Sequence, residues 1–331
     1  MQDQRRRIVV LTPVRNEGWI LDRFLNVTSR FADLIIIADQ NSTDETVSIC
    51  KRFDKVHLIQ NTNPDYDEAT RQILLIETAR KLVPEEKILL ALDCDEILAA
   101  NALETSGWQT MLNAPRGTVL VFEKPDLYVD PDRCLRGQFD WPGGYVDDGA
   151  QHTARKVHSI RIPMPDGAPR LIIRDVKFLH YALLRPRAQI AKRRMYCVIE
   201  NISKTKTAYQ RRRYYDARAD LTKPLRPEAS NPDWFRGWER LGIDMRTVHD
   251  QEYYWQDYET LDYLVRYGSY RFWLDDIWEM DWKKLAADIG AKRISVPPVV
   301  LQRASRLFYG VLFRLANLRR QLFLKKSEAE V

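Results

Sequence analysis

The sequence predicts an α/β protein organised around a mostly parallel central sheet with helices on its faces. From residue 8 to residue 95, short apolar runs alternate with longer segments in which apolar residues recur at helical spacing. Strand–helix units in series are typical of a parallel sheet. The same stretch contains no Gly-x-Gly-x-x-Gly and no Gly-Lys-Ser/Thr loop, which argues against the dinucleotide-binding and P-loop forms of this architecture.

The first elements follow one another in regular order. Four apolar runs are predicted strands: residues 8–11, 34–37, 56–59 and 88–92. The helices predicted between them span residues 19–31, 42–50 and 68–82. The second helix begins with a capping-box spacing, in which Ser42 is the cap and Glu45 lies three positions later.

The second half of the chain gives weaker patterns. Further strands are predicted at residues 118–122, 155–162 and 171–179, with a long polar loop at 123–148. Residues 187–220 are predicted to be helical and basic, and a proline-rich linker follows at 222–233. We therefore predict a catalytic domain at 1–221 and an aromatic-rich helical extension at 222–331, which ends in a basic amphipathic tail.

The composition limits the classes of protein to which this chain can belong. The chain has 331 residues, 45% hydrophobic and 30% charged, as a soluble globular protein has. Its start lacks the apolar core of a signal peptide, and no run reaches the roughly 18 apolar residues of a membrane span. Four cysteines without a Cys-x-x-Cys pair favour a reducing cytoplasm. The net charge of +6 allows nucleic acid, an anionic membrane or a phosphorylated small molecule as partner.

The most informative stretch is the acidic end of the fourth strand. Asp93, Asp95 and Glu96 follow five apolar residues directly. Carboxylates this close repel one another, so a positive charge is needed nearby. A hard divalent cation, which binds oxygen ligands, is the simplest source of that charge. Two other Asp-x-Asp sequences, at 65–67 and 130–132, follow no apolar strand, and we interpret them as solvated loop acids.

Polar residues also follow the earlier strands. Glu17, Asp39 and Asn61 each come after a predicted strand, as Asp93 does. Ligands of parallel sheets bind beyond the carboxyl ends of the strands. We therefore expect one crevice to gather these side chains.

Three segments resemble the family-2 nucleotide-sugar glycosyltransferases, whose catalytic domain has the GT-A fold, a Rossmann-like and mostly parallel sheet flanked by helices. They are residues 12–17 (Thr-Pro-Val-Arg-Asn-Glu), 38–46 and 93–95 (Asp-Cys-Asp), with Arg71 between the last two. The resemblance covers about residues 8 to 100. The sequence departs from the family at Gln40 and Asn41, where the family usually has Asp and Gly.

The resemblance implies roles for individual residues. Those expected to hold the nucleotide are Thr12, Pro13, Arg15, Glu17, Asp39, Asn41, Arg71 and Asp93, with Asp39 facing the base and Asp93 near the ribose. Asp95 is expected to hold Mn²⁺ or Mg²⁺, and His180, after a later strand, to complete the metal shell. The implied reaction moves a sugar, with inversion, from a nucleoside diphosphate sugar (UDP-sugar favoured) to a hydroxyl of a glycan or glycolipid.

An inverting reaction requires a carboxylate that takes the proton of the acceptor hydroxyl. Asp147 and Asp148 follow the Gly-rich segment at 141–146, and we predict that one of them is this base. A flexible loop with adjacent acids could close over the substrates, and like-charge proximity would raise one pKa.

The sequence leaves two other functions open. A nucleotidyltransferase would use similar strand-end acids but normally needs a glycine- and lysine-rich triphosphate loop. A non-catalytic glycan-binding protein would explain the aromatic residues but has no need of the acids.

The tail at 299–326 also has two interpretations. Arg303, Arg306 and Arg320 lie opposite an arc of seven apolar residues, which are Leu301, Ala304, Phe308, Val311, Leu312, Leu315 and Leu322. The arc either packs on its own domain or lies on an anionic membrane. The expected location is the cytoplasm, at the inner face of the membrane if the second interpretation of the tail holds, and no nucleic-acid partner is expected.

Overall fold

The computed structural model describes residues 6–62, 67–136, 140–155, 159–215 and 226–329, with side chains to residue 318. The chain forms two compact units: residues 6–185 with 226–249, and residues 186–215 with 250–329. These units do not divide at the predicted boundary after residue 221. The chain leaves the first unit after residue 185 and returns at 226 to add one more strand and helix.

The strands all belong to the first unit. They are β1 Arg7–Val14, β2 Leu34–Asp39, β3 Val56–Gln60, β4 Lys87–Ala91, β5 Glu96–Leu98, β6 Val119–Glu123, β7 Asp126–Tyr128, β8 Asp130–Leu135, β9 Trp141–Val146, β10 Arg170–His180 and β11 Glu228–Ala229. In the described residues they form one sheet in the order β11-β8-β7-β10-β6-β9-β4-β1-β2-β3, and β5 pairs with β10.

The helices are divided between the units. The first unit contains α1 Gly18–Thr28, α2 Thr46–Cys50, α3 Glu68–Leu82, α4 Ser106–Leu112 and α7 Asp233–Arg240. The second contains α5 Pro186–Ile202, α6 Ala208–Tyr215, α8 Trp255–Tyr267, α9 Trp282–Asp288 and α10 Val299–Ala329. Among the described residues, no helix is both long and apolar enough to cross a membrane.

The predicted α/β class with a Rossmann-like parallel sheet is confirmed. Strands β3, β2, β1 and β4 are parallel neighbours, and β9 enters antiparallel between β4 and β6. Alternate residues of β1 face different helices: Ile8 and Val10 belong to the core that includes α1, while Val9 and Leu11 belong to the core that includes α3. Every residue of β4 is buried, as its continuous apolar run predicts.

Several local predictions are wrong. Helix α2 begins only at Thr46 and has no side-chain cap, because Ser42 accepts a hydrogen bond from Asn16 instead. The predicted polar loop at 123–148 contains β7, β8 and β9, whose turn-rich sequences concealed their pairing. The predicted strand at 155–162 is not a strand in its described residues, 155 and 159–162.

Candidate active site

The carboxyl ends of the parallel strands are joined by backbone hydrogen bonds. Gln40 N donates to Val14 O at 2.9 Å, and Asn61 N donates to Asp39 O at 2.8 Å. Leu92 N donates to Leu11 O at 3.1 Å. The ends of β1, β2 and β4 therefore lie at one edge of the sheet, as the sequence predicts.

The loops after β1 and β2 are fastened to each other by side chains. Asn16 N donates to Ser42 Oγ at 2.8 Å, and Thr43 N donates to Asn16 Oδ1 at 2.7 Å. Asn16 and Asn41 have φ values of 54° and 53°, in the left-handed region that Asn tolerates better than most residues. Asn41 can therefore stand where the family usually has Gly.

The predicted nucleotide-binding residues differ in their exposure. Thr12 is fully buried within β1, so its side chain is not open to a ligand in this structure. Asp39 is 1% exposed, and its two carboxylate oxygens accept from Ser42 N at 3.3 Å. Pro13 and Arg15 are half-buried, and the loop residue Asn41 is exposed. Contact between any of these residues and a nucleoside stays a prediction.

Arg71 and Glu17 reach the same edge by different routes. Arg71 Nη1 donates to the side-chain oxygen of Gln40 at 3.3 Å, which brings helix α3 to the end of β2. Glu17 Oε2 accepts from Trp19 Nε1 at 2.7 Å, and its backbone N donates to Thr46 Oγ1 at 2.8 Å. Both side chains are thus held in place by polar contacts.

A buried carboxylate lies at the centre of the acidic cluster after β4. Glu96 is 0% exposed and accepts hydrogen bonds from Lys124 Nζ and Arg161 Nη1, both at 2.6 Å. It also accepts from Asp93 N at 2.8 Å. Burial disfavours the charged form, but Arg161 and Lys124 outweigh that effect and hold the pKa of Glu96 well below its usual value.

Arg161 joins this carboxylate to the Asp-x-Asp pair. Its Nη2 lies 2.6 Å from Asp93 Oδ2. The expectation that a metal ion supplies the positive charge here is therefore incomplete, since Arg161 and Lys124 supply part of it. The sequence pattern did not identify these cations: Arg161 lies 68 residues beyond Asp93, in a segment predicted to be a strand.

The two predicted metal ligands do lie together. Antiparallel pairing of β5 with β10 places His180 opposite Glu96, and Tyr181 N donates to Asp95 O at 2.9 Å. His180 Nε2 is consequently 3.7 Å from Asp95 Oδ2. His180 Nδ1 is hydrogen-bonded to Asp126 Oδ1, at the start of β7.

This arrangement suits a metal-binding histidine. A carboxylate accepts hydrogen bonds, so in neutral His180 the proton is on Nδ1 and the lone pair is on Nε2, which faces Asp95. A carboxylate behind the ring is the usual partner of a ligating histidine. Asp126 was not predicted as the partner of His180, although its place after a strand is of the kind that marked Asp93.

The distance also fits one shared ion. Ligand oxygens lie about 2.1 Å from Mg²⁺, so two ligand atoms of one ion are at most about 4.2 Å apart. The 3.7 Å between Asp95 and His180 is within that limit. The described residues contain no group of three or more His, Cys, Asp or Glu arranged to hold a metal. Mg²⁺ is commonly bound by one or two protein ligands together with substrate phosphates and water.

The structure does not bring Asp147 and Asp148, the predicted catalytic base, to the acidic cluster. Strand β9 runs antiparallel to β4, so they lie beside Lys87 at the start of β4, about 20 Å along the strand direction from Asp93. Asp147 lies 2.8 Å from Arg80 Nη2 and 3.4 Å from Lys87 Nζ. Burial would raise the pKa of Asp147, but the hydrogen bond from Arg80 outweighs it and lowers the pKa. Asp148 accepts from Tyr145 Oη at 2.6 Å.

We expect Asp147→Asn to destabilise the fold and to leave activity per folded molecule unchanged. The substitution leaves Arg80 and Lys87 without their buried counter-charge, which typically costs about 3 kcal/mol or more. Urea unfolding measures the loss, and Asp148→Asn is the control with its more exposed carboxylate. A large fall in the rate of transfer with unchanged stability would instead support Asp147 as the catalytic base.

A cavity of about 400 Å³ adjoins the acidic cluster on the side of Lys124. Cations and acids that line it are paired with each other: Lys177 with Glu123, and Arg136 with Glu228 at 3.1 Å. The half-buried Trp234 also lines the cavity. The size is that of a small-molecule site, and the paired charges offer hydrogen-bond donors and acceptors together.

Comparison with known proteins gives distant structural neighbours only. No protein-family model matches the chain, and a comparison with curated proteins finds no match. Staphylococcus aureus TarS matches with a TM-score of 0.29 and 17% identity over 37% of this chain and 22% of TarS. A 4-diphosphocytidyl-2C-methyl-D-erythritol synthase matches with a TM-score of 0.29 and 16% identity, over 43% of this chain and 74% of the synthase.

A third neighbour is glucosyl-3-phosphoglycerate synthase from Mycobacterium tuberculosis, crystallised with Mn²⁺ and uridine diphosphate. Its TM-score is 0.26 at 17% identity, over 36% of this chain and 44% of the synthase. The matched region is thus about a fifth of TarS and under half of this synthase. Likenesses this low carry no argument about function. A proposal about function therefore has to rest on the geometry of the site.

Proposed function

We propose that the protein is a metal-dependent glycosyltransferase of the family-2, GT-A type, which moves a sugar from a nucleoside diphosphate sugar to a hydroxyl group. The observation that carries this proposal is the trio of Asp95, His180 and Asp126 at the edge where the parallel strands end. An acid, a histidine and a carboxylate behind the histidine would together hold a cation next to the expected nucleotide crevice.

In this proposal Asp95 and His180 hold Mn²⁺ or Mg²⁺ on the donor diphosphate. The ion would act as a Lewis acid that stabilises the charge of the leaving nucleotide. Asp126 fixes the tautomer and the orientation of His180. Lys124 and Arg161 restrain Glu96 and Asp93, so the acids next to the metal ligands keep a fixed position before substrate binds.

The loops after β1 and β2 would hold the nucleoside. Their mutual hydrogen bonds keep Arg15, Asp39 and Asn41 near the same sheet edge without a ligand. Preorganised contacts of this kind reduce the entropy lost on binding. A UDP-sugar is the donor that the resemblance favours.

The cavity beside Lys124 is the proposed acceptor site. Paired acids and cations suit a polyhydroxyl compound, because each hydroxyl both donates and accepts a hydrogen bond. Trp234 offers a ring face of the kind that sugars contact. A glycan or the sugar of a glycolipid fits this chemistry.

A thermal-shift panel of nucleoside diphosphates and their sugars tests the proposed function. We expect one base to raise the melting temperature, by roughly 5–10 °C at a hundredfold excess over Kd, and only with Mn²⁺ or Mg²⁺ present. Nucleoside triphosphates serve as the comparison. A chain that responds to triphosphates and releases pyrophosphate is a nucleotidyltransferase, and a chain that responds to glycans alone is a binding protein. Either result contradicts the proposal.

A further inference from the structure

Helix α10 packs on the second unit through a polar and aromatic face. Gln302, Ser305 and Tyr309 are buried, and they recur at intervals of three and four residues. The ring of Tyr209 in α6 lies 5.2 Å from that of Phe313. Arg306 Nε donates to Asp276 Oδ1 at 3.0 Å. These contacts fix which side of the helix faces outward.

The outward side is an apolar stripe. Its residues fall within an arc of about 100° at 100° per residue. Each is between 54% and 76% exposed: Val300, Leu307, Phe308, Val311, Leu315 and Leu318. Most of the predicted apolar arc therefore does not pack on its own unit: Phe308, Val311 and Leu315 belong to this stripe, Leu301 is 40% exposed, and Ala304 is exposed. Leu312 is half-buried, and Leu322 lies beyond the residues whose side chains the structure describes. Exposed apolar stripes of this length are typical of interaction surfaces.

The charge of the helix is of one sign as far as residue 327. Residues 299–327 contain seven Arg and Lys and no Asp or Glu. Arg303 and Arg314 are exposed, and both fall on one flank of the apolar stripe at 100° per residue. An apolar stripe bordered by cations matches the interface of an anionic bilayer, where the apolar side chains enter the acyl boundary and the cations meet lipid phosphates.

We propose that α10 binds the surface of an anionic lipid bilayer through this stripe, with the helix axis in the plane of the interface. A second copy of the chain is a poorer partner. Two stripes packed together would bring the cations of both helices close to each other, and the helix has no acid before Glu328 to balance them. The proposal concerns where the enzyme works and is independent of its proposed reaction.

Co-sedimentation of the full chain with vesicles tests the proposal. We expect binding to vesicles of equal parts phosphatidylcholine and phosphatidylglycerol, weak binding to phosphatidylcholine alone, and weakening at high salt. Val311→Glu, which places an acid at the centre of the stripe, should lower the partition coefficient about tenfold or more. Ile289→Glu is the matched control, because Ile289 is also half exposed in the second unit but lies outside α10.

Each outcome of this experiment either supports or overturns membrane binding by α10. Loss of vesicle binding in Val311→Glu alone, with unchanged melting of both variants, supports the proposal. Equal binding by both variants means that the membrane contact lies elsewhere, which overturns it. If the wild type ignores vesicles and instead forms a dimer that Val311→Glu dissociates in light scattering, the stripe is a protein interface. A monomer that ignores both vesicle types also overturns the proposal.

Discussion

We expect Asp95→Ala to lower the rate of sugar transfer about a thousandfold while the protein still folds. A unit charge pair about 4 Å apart, at an effective dielectric constant of about 20, is worth about 4 kcal/mol, or roughly three decades of rate. Asp95 is 22% exposed and lies among other carboxylates, so its removal relieves repulsion in the folded state. Initial rates and thermal melting, with and without Mn²⁺, measure the two effects separately.

Asp126→Asn is the matched control for this substitution. It removes the charge behind His180 and leaves both predicted ligands in place. We expect the apparent affinity for Mn²⁺ to fall about 10- to 100-fold, and the rate to recover at saturating metal. Full activity of Asp95→Ala, or of the wild type in excess chelator, would end the metal hypothesis.

The second large effect is expected from Glu96→Gln. This fully buried carboxylate forms ion pairs with Lys124 and Arg161. The neutral amide of Gln would remove the negative charge from both pairs. Breaking a buried ion pair from one side costs about 3–5 kcal/mol, so the melting temperature should fall by roughly 10 °C. Chemical denaturation at neutral pH gives the free energy of unfolding.

The pH dependence follows from the lowered pKa of Glu96. In the unfolded chain a glutamate titrates near pH 4.3, and in the folded protein Glu96 titrates well below that value. Its stabilisation is therefore fully present above about pH 5 and is lost as the pH falls toward the folded-state pKa. We expect the loss of stability between neutral and acidic pH to be smaller in Glu96→Gln than in the wild type.

Glu86→Gln provides the control, since Glu86 also pairs with an arginine, Arg6, but is 56% exposed. Exposed pairs contribute little, and its substitution should change the free energy of unfolding by no more than about 1 kcal/mol. Equal effects of the two substitutions would show that Glu96 is not a buried ionic centre.

The sequence by itself determined the parallel half of the sheet and the chain positions that follow its strands. Short apolar runs such as the one before Asp93 predict buried strands, and parallel strands bring their carboxyl ends to one edge. The pairing of Asp95 with His180 was also predicted, through the resemblance to the family-2 glycosyltransferases. These features depend on local periodicity and on short motifs, which a sequence displays directly.

Only the tertiary structure decided which charges meet. Arg161 reaches Asp93 and Glu96 across more than 60 residues, and Asp126 reaches His180 across 54. No local pattern encodes such pairs, because they depend on the order and direction of strands. The antiparallel direction of β9 is the clearest case. It carries Asp147 to the edge of the sheet opposite Asp93, where Asp147 forms an ion pair with Arg80.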